Sequence, residues 1–187
     1  MRTVVIALTA AACTVAAGAA WAQSRWAHPD GRSVYALPAG MVVDEAVASD
    51  PKVFLSYSRK DGTKVAECIA GINPTDPVDK GQWTRVMATY NNDPETEMRR
   101  STVETGDTFN RFLGSRPFTS PGGYGGYFIW FDRTLTKKGY PEQVIRSATQ
   151  TDATGRTVVL CVTVKGQTYQ PADVEAIYRF TTTIRRP

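Results

Sequence analysis

The segment Thr157-Val158-Val159-Leu160-Cys161-Val162-Thr163-Val164 carries apolar side chains at both alternating sets of positions. Val158, Leu160, Val162 and Val164 fall on one face and Val159 and Cys161 on the other, so a strand here has no face suited to water. It belongs inside a sheet that is covered on both sides. The rest of the chain has to supply both the neighbouring strands and the covering layers.

Strand candidates are easily found. Ser33 to Met41 reads as a short strand running into a Pro-Gly turn, and Val53–Tyr57 and Lys64–Ile69 as two strands joined across Arg59-Lys60-Asp61-Gly62, where the glycine supplies the positive φ that a hairpin needs. Asn73-Pro74-Thr75-Asp76-Pro77 reads as a loop, because its prolines withhold donors from a ladder. Tyr127–Phe131 and Glu142–Thr149 are further strands, and the tight turn at Asp152 to Gly155 pairs the second of them antiparallel with Thr157–Val164. Three helices complete the pattern. Trp83, Val86, Met87 and Tyr90 form one apolar stripe at helical spacing. Asp93-Pro94 with Glu95 and Glu97 is a helix start, predicted to run on through Phe109, Phe112 and Leu113, with Gly106 as a point of interruption and Gly114 as its end. Pro171 opens the last helix, whose buried stripe is Val174, Ile177, Tyr178 and Thr181. Strands, helices, strands, helix is the order of an α+β fold: an antiparallel sheet packed by helices. Residues 23–32 lack periodicity and read as a flexible N-terminal arm, and residues 33–187 as a single α+β domain.

The early strand entering a Pro-Gly turn, Tyr35-Ala36-Leu37-Pro38-Ala39-Gly40-Met41, resembles the Mog1/PsbP-type α/β/α sandwich. So does the meander of long strands followed by a closing helix with a short apolar tail, Val174 to Ile184. The resemblance implies an exported accessory protein with a binding or assembly role.

Residues 1–22 have Arg2 at the start, an apolar stretch from Val4 to Ala20, and small residues at Ala20 and Ala22. This is the pattern of a secretory signal cleaved after Ala22, which predicts a periplasmic or secreted protein. A rival reading makes Cys13 a lipidation site, although Ala10 stands where a larger apolar residue is usual. No later segment is apolar enough to span a membrane, so the mature chain should lack a membrane span. After cleavage only Cys68 and Cys161 remain. Either they bridge, closing a loop of roughly 90 residues that the chain-entropy model values at on the order of 4 to 5 kcal/mol, or they are two buried free thiols. The net charge of +4, one less once Arg2 is gone, is too mild and too dispersed for a nucleic-acid surface. Arg99-Arg100, Lys137-Lys138 and Arg185-Arg186 are isolated pairs, and the modest positive balance favours anionic envelope surfaces only weakly.

The side chains for most covalent and metal-assisted chemistry are missing. Histidine occurs once, at His28 in the N-terminal arm, and no Gly-x-Ser-x-Gly elbow is present. One histidine and two distant cysteines do not make a zinc site, Asp76, Asp79 and Asp93 do not make a calcium loop, and Gly122-Gly123-Tyr124-Gly125-Gly126 lacks the Lys-Ser/Thr of a phosphate loop. We therefore expect no metal, no cofactor and no catalytic residue. Glu67, Asp132 and Glu142 are the carboxylates that a glycosidase-like reading would use, and otherwise read as surface positions.

The strongest local feature is Phe118 to Phe131, where glycine pairs alternate with rings. In a binding reading Tyr124, Tyr127 and Trp130 stack on a sugar or receive a partner's apolar side chain, with Tyr124 at a loop tip. In a packing reading Tyr127, Ile129 and Phe131 fill one face of a strand and Phe128 and Trp130 the other. The expected function is a non-catalytic periplasmic protein that binds a partner protein or envelope component. The alternative is a small periplasmic hydrolase or ligand-binding enzyme using carboxylates and tyrosine hydroxyls.

Overall fold

A computed structural model describes residues 24–47, 49–137 and 139–187. The predicted signal sequence and Cys13 lie outside these residues. Nine strands and three helices are present among those described: β1 (Ser24–Ala27), β2 (Val34–Leu37), β3 (Met41–Ala46), β4 (Lys52–Ser58), β5 (Lys64–Pro74), α1 (Lys80–Asn92), α2 (Pro94–Glu104), β6 (Thr108–Thr119), β7 (Gly125–Thr134), β8 (Pro141–Asp152), β9 (Gly155–Thr163) and α3 (Pro171–Thr183).

Seven strands make one antiparallel sheet in the order β3-β4-β5-β9-β8-β7-β6. It consists of two meanders, β3 to β5 and β6 to β9, that meet where β5 pairs with β9. Cys68 and Cys161 stand directly opposite each other in that pair, with their sulfurs 2.06 Å apart, the separation of a disulfide. As the apolar pattern of β9 requires, the strand lies inside the sheet. Val159 and Cys161 enter the core on the α3 side, and Val158, Leu160 and Val162 pack partly against the core on the other.

The two cores define the layers. On one face α3 and the β1–β2 hairpin cover Val53, Leu55, Cys68, Phe128 and Ile145 through Tyr35, Ile177 and Phe180. On the other, Trp83 and Met87 of α1 and Met98 of α2 meet Tyr127, Ile129 and Phe131 of β7. This is an α/β/α sandwich, but an unequal one: α1 and α2 sit over β6 and β7, and toward β3–β5 the same face leaves Phe54, Ile69 and Val42 exposed.

Helix starts follow local chemistry. Asp79 caps α1 by accepting from the Gln82 amide at 2.8 Å, and Asp93 caps α2 by accepting from Thr96 at 3.2 Å, with Pro94 in the first turn.

Four expectations are corrected. The second helix stops at Glu104: Gly106 takes φ +79°, its N–H bonds to the Val103 carbonyl at 2.9 Å, and Phe109 to Leu113 belong to β6. Two register shifts in β6, beside Asn110 and Leu113, break the alternation that would have marked a strand. The N-terminal arm is ordered from Ser24. Trp26 pairs with Tyr35 across β1 and β2, His28 is buried, and its Nδ1 accepts from the Asp30 amide at 3.1 Å. Asn73 and Pro74 close β5 opposite Arg156 and Gly155, so the predicted loop is confined to the residues after them. Val86 faces solvent, leaving Trp83 and Met87 as the buried residues of α1.

Candidate functional site

The glycine-aromatic segment does not gather its rings into one surface. Tyr124 and Tyr127 are buried beneath α1, where Tyr127 stacks on Tyr90 at 4.5 Å between centroids. Trp130 projects from the opposite face, half-buried, with the Arg116 guanidinium 5.8 Å from its ring. The segment builds both cores at once, as the alternation of Tyr127, Ile129 and Phe131 with Phe128 and Trp130 allows. Ser120 explains why Tyr124 is not at a tip. Its hydroxyl donates to the Gln150 carbonyl at 2.7 Å, its oxygen accepts from the Tyr124 amide at 3.2 Å, and its own amide bonds to the Tyr124 carbonyl, folding the loop back on the sheet.

The candidate carboxylates are likewise dispersed. Glu67 is exposed and paired with Lys64. Asp132 accepts from Arg111 at 2.8 Å. Glu142 is not the surface residue the sequence suggests: it is buried, and its Oε1 accepts from Arg133 at 2.6 and 2.8 Å.

An apolar concavity lies elsewhere, at the start of α3. A cleft of about 400 Å³ is bounded by the β2–β3 turn, the end of β4 and the first two turns of α3. The turn comes close to β4 because position 40 is glycine. Gly40 has φ +87°, its carbonyl accepts from the Ser58 amide at 2.8 Å, and a Cβ there would lie 2.0 Å from the Ser58 carbonyl oxygen. Pro38, Ala39, Ala172 and Ala176 give the cleft small apolar walls, and Tyr57 closes its inner end.

Charges surround these walls, and the carboxylates among them are committed. Asp173 is buried and receives Arg59 Nη2 at 2.7 Å and Nε at 3.1 Å, while its Oδ2 also accepts from the Gln170 amide at 2.8 Å. Arg59 further donates to the Thr168 carbonyl at 2.8 Å, locking the β4–β5 hairpin to the entry of α3. Glu175 bridges Arg116 at 2.8 Å and Arg179 at 2.9 Å, and these two guanidiniums hold its carboxyl below the usual range. Burial, followed by the charge of Asp173, pushes the Tyr57 hydroxyl up. Beside the cleft, burial raises the Tyr169 hydroxyl well above its ordinary value, and that oxygen has no hydrogen-bond partner among the described residues. Around neutral pH the tyrosines therefore remain protonated, and Glu175 carries its charge against two cations. The sequence gives no motif for this site, because turn, hairpin and helix are far apart along the chain.

No protein-family model matches the chain, and no curated protein matches it. Solved structures do. The crystal structure of a protein from Bacteroides thetaiotaomicron VPI-5482 aligns over 88% of this chain and 48% of its own, with TM-score 0.51 and 10% identity, so this chain spans about half of that one. The solution structure of cyanobacterial PsbP (CyanoP) from Synechocystis sp. PCC 6803 aligns over 89% of this chain and 94% of its own, with TM-score 0.52 and 8% identity. The fold is PsbP-like. The resemblance seen in the Pro-Gly turn and the closing helix thus extends to the whole sandwich, and that turn is the one that walls the cleft. A likeness at 8% identity is one of PsbP-like architecture alone, so function has to be argued from the site.

Proposed function

We propose that this is an exported, non-catalytic protein that binds a partner protein or envelope component through the cleft at the start of α3. The observation that carries the reading is the state of the cleft's acids: Asp173 is clamped by Arg59, and Glu175 is held between Arg116 and Arg179. A hydrolytic proton donor needs a carboxyl raised by burial toward neutrality, whereas the two guanidiniums hold Glu175 below its usual range. What the cleft offers is small apolar walls with a rim whose carboxylates are paired and whose cations outnumber them, a surface suited to receiving a side chain. Export rests on the signal pattern of residues 1–22, and the facing Cys68 and Cys161 fit an oxidising compartment.

Ala172 is exposed at the cleft wall, so Ala172→Trp fills the space from the solvent side. Envelope extracts passed over the immobilised mature protein should yield a complex that Ala172→Trp loses, with the melting temperature shifted by less than about 2 °C. Capture that is indifferent to this substitution removes the cleft. Turnover of a defined substrate that Asp173→Asn or Glu175→Gln abolishes overturns the non-catalytic reading.

A further inference from the structure

Arginines in this protein are mostly paired. Arg59, Arg99, Arg100, Arg111, Arg116, Arg133, Arg179 and Arg186 each hold a carboxylate within 3.5 Å. Arg25 and Arg185, like Arg32, Arg85, Arg146 and Arg156, hold none among the described residues, and these two line one cleft of about 320 Å³ on the outer side of the β1–β2 hairpin. Register explains why they meet there. Arg25 stands opposite Ala36 in the β1–β2 pair, and Val34 is bridged to Arg185 in the segment that follows α3. Residues directly opposite in a ladder share a face, as do residues two apart on one strand. Val34 and Ala36 therefore form a small apolar floor, with one arginine on each side of it, set diagonally. The inward positions of the same ribbon are the buried Tyr35 and Ile184, which fix the orientation of the outward ones. Pro121 of the β6–β7 loop and Thr182 at the end of α3 close the ends.

Two guanidiniums over an apolar floor repel each other unless an anion lies between them, and the floor supplies no acceptor of its own. The cleft also lacks hydroxyl donors: Thr182 gives its hydroxyl proton to the Arg179 carbonyl at 3.1 Å, and Thr183 gives its own to Phe180 at 2.9 Å. Recognition therefore falls to the two arginine forks. A planar carboxylate is satisfied by one fork in its own plane, whereas a tetrahedral phosphate presents oxygens in several directions and can accept from two forks at once. We propose that the Arg25–Arg185 cleft binds a phosphate group. An anionic lipid headgroup and a soluble phosphate share this chemistry. The site is separate from the α3 cleft, and its occupancy does not depend on the role assigned there.

The test uses the mature chain in two arms. In the first, amide shifts of Val34, Ala36 and Arg185 are followed by NMR as inorganic phosphate replaces chloride at constant ionic strength. In the second, the protein is co-sedimented with vesicles of phosphatidylglycerol and phosphatidylcholine mixed equally. Arg25→Gln/Arg185→Gln is compared with Arg99→Gln/Arg100→Gln, which removes the same charge from exposed positions on α2. Saturable phosphate shifts that the first pair of substitutions abolishes are the expected result. With a headgroup as the source, vesicle binding also falls about twentyfold or more in that variant and less than about twofold in the control. The same shifts without vesicle binding support the site with soluble phosphate as its ligand. Absence of saturable shifts in the unsubstituted protein overturns the proposal, and so does an equal loss of binding in both variants, which would reflect net charge only. Ala172→Trp should leave the phosphate response intact, so failure of this proposal and failure of the α3 cleft are told apart.

Discussion

Single side chains at the α3 cleft carry consequences that bulk properties do not. Gly40 cannot accept a Cβ, because the Ser58 carbonyl oxygen occupies that space and φ is positive. Gly40→Ala should cost about 2–3 kcal/mol, read as a lowered urea midpoint at unchanged m-value. Asp173→Asn should cost about 3 kcal/mol, since it strands Arg59 and weakens the entry to α3. Tyr124→Ala belongs with the core substitutions, at about 3 kcal/mol, whereas Val103→Ser on the exposed side of α2 should stay within about 0.5 kcal/mol. Tyr35 sets an alkaline limit. Burial in the α3-side core pushes its hydroxyl up to about 12, so the unfolded chain ionises first, from about 10. Its contribution to stability is intact below about pH 10 and is lost as pH rises toward about 12. The gap in stability between the native protein and Tyr35→Phe should narrow across that interval, measured by urea melts at stepped pH. Tyr124 also shows the reach of sequence reading at this scale. Glycines on either side suggest a tip, and nothing in the adjacent residues reveals that the Ser120 hydroxyl ties the loop down to Gln150, thirty positions later.

At the scale of elements, what was legible depended on whether a segment's neighbours lie within the reach of local pattern. The interior position of β9, the β8–β9 turn, the cap of α2 and the start of α3 at Pro171 all rest on signals inside a few residues, and the structure has them. Strand β6 was hidden because its register shifts around Asn110 and Leu113 destroy the two-residue period, leaving Phe109, Phe112 and Leu113 at spacings that imitate a helix. Gly114 is part of the reason for the irregularity: Trp130 lies where its Cβ would be, 2.5 Å away. Strand β3 has no counterpart in the sequence reading: Asp44 and Glu45 interrupt its apolar pattern at the sheet edge, where charge discourages further pairing. The α3 cleft was illegible for a different reason. Its walls come from three segments, and only the folded chain shows that Arg59 and Asp173 meet. On α1 the distinction between stripe and surface is testable: Met87→Ala should cost about 3 kcal/mol, while Val86→Ser should change stability by less than about 0.5 kcal/mol.

Across the whole molecule, the sheet is two local meanders with one long-range junction. Reduction of the Cys68–Cys161 pair should lower the melting temperature by roughly 10 °C, because a cross-link over a separation of 93 residues restricts the unfolded chain strongly. The junction is also where the two meanders are tied covalently. The connection from β5 to α1, through Thr75 to Asp79, runs outside the sheet, with Asp76 and Pro77 exposed. A protease that nicks this connection would separate β1–β5 from everything after it in sequence without releasing either piece. The cut protein should migrate as one species on a non-reducing gel and as two once thiol is added. In an oxidising compartment such a molecule would outlast a broken backbone as a two-chain protein, its halves joined by one sulfur link as well as by the ladder beside it.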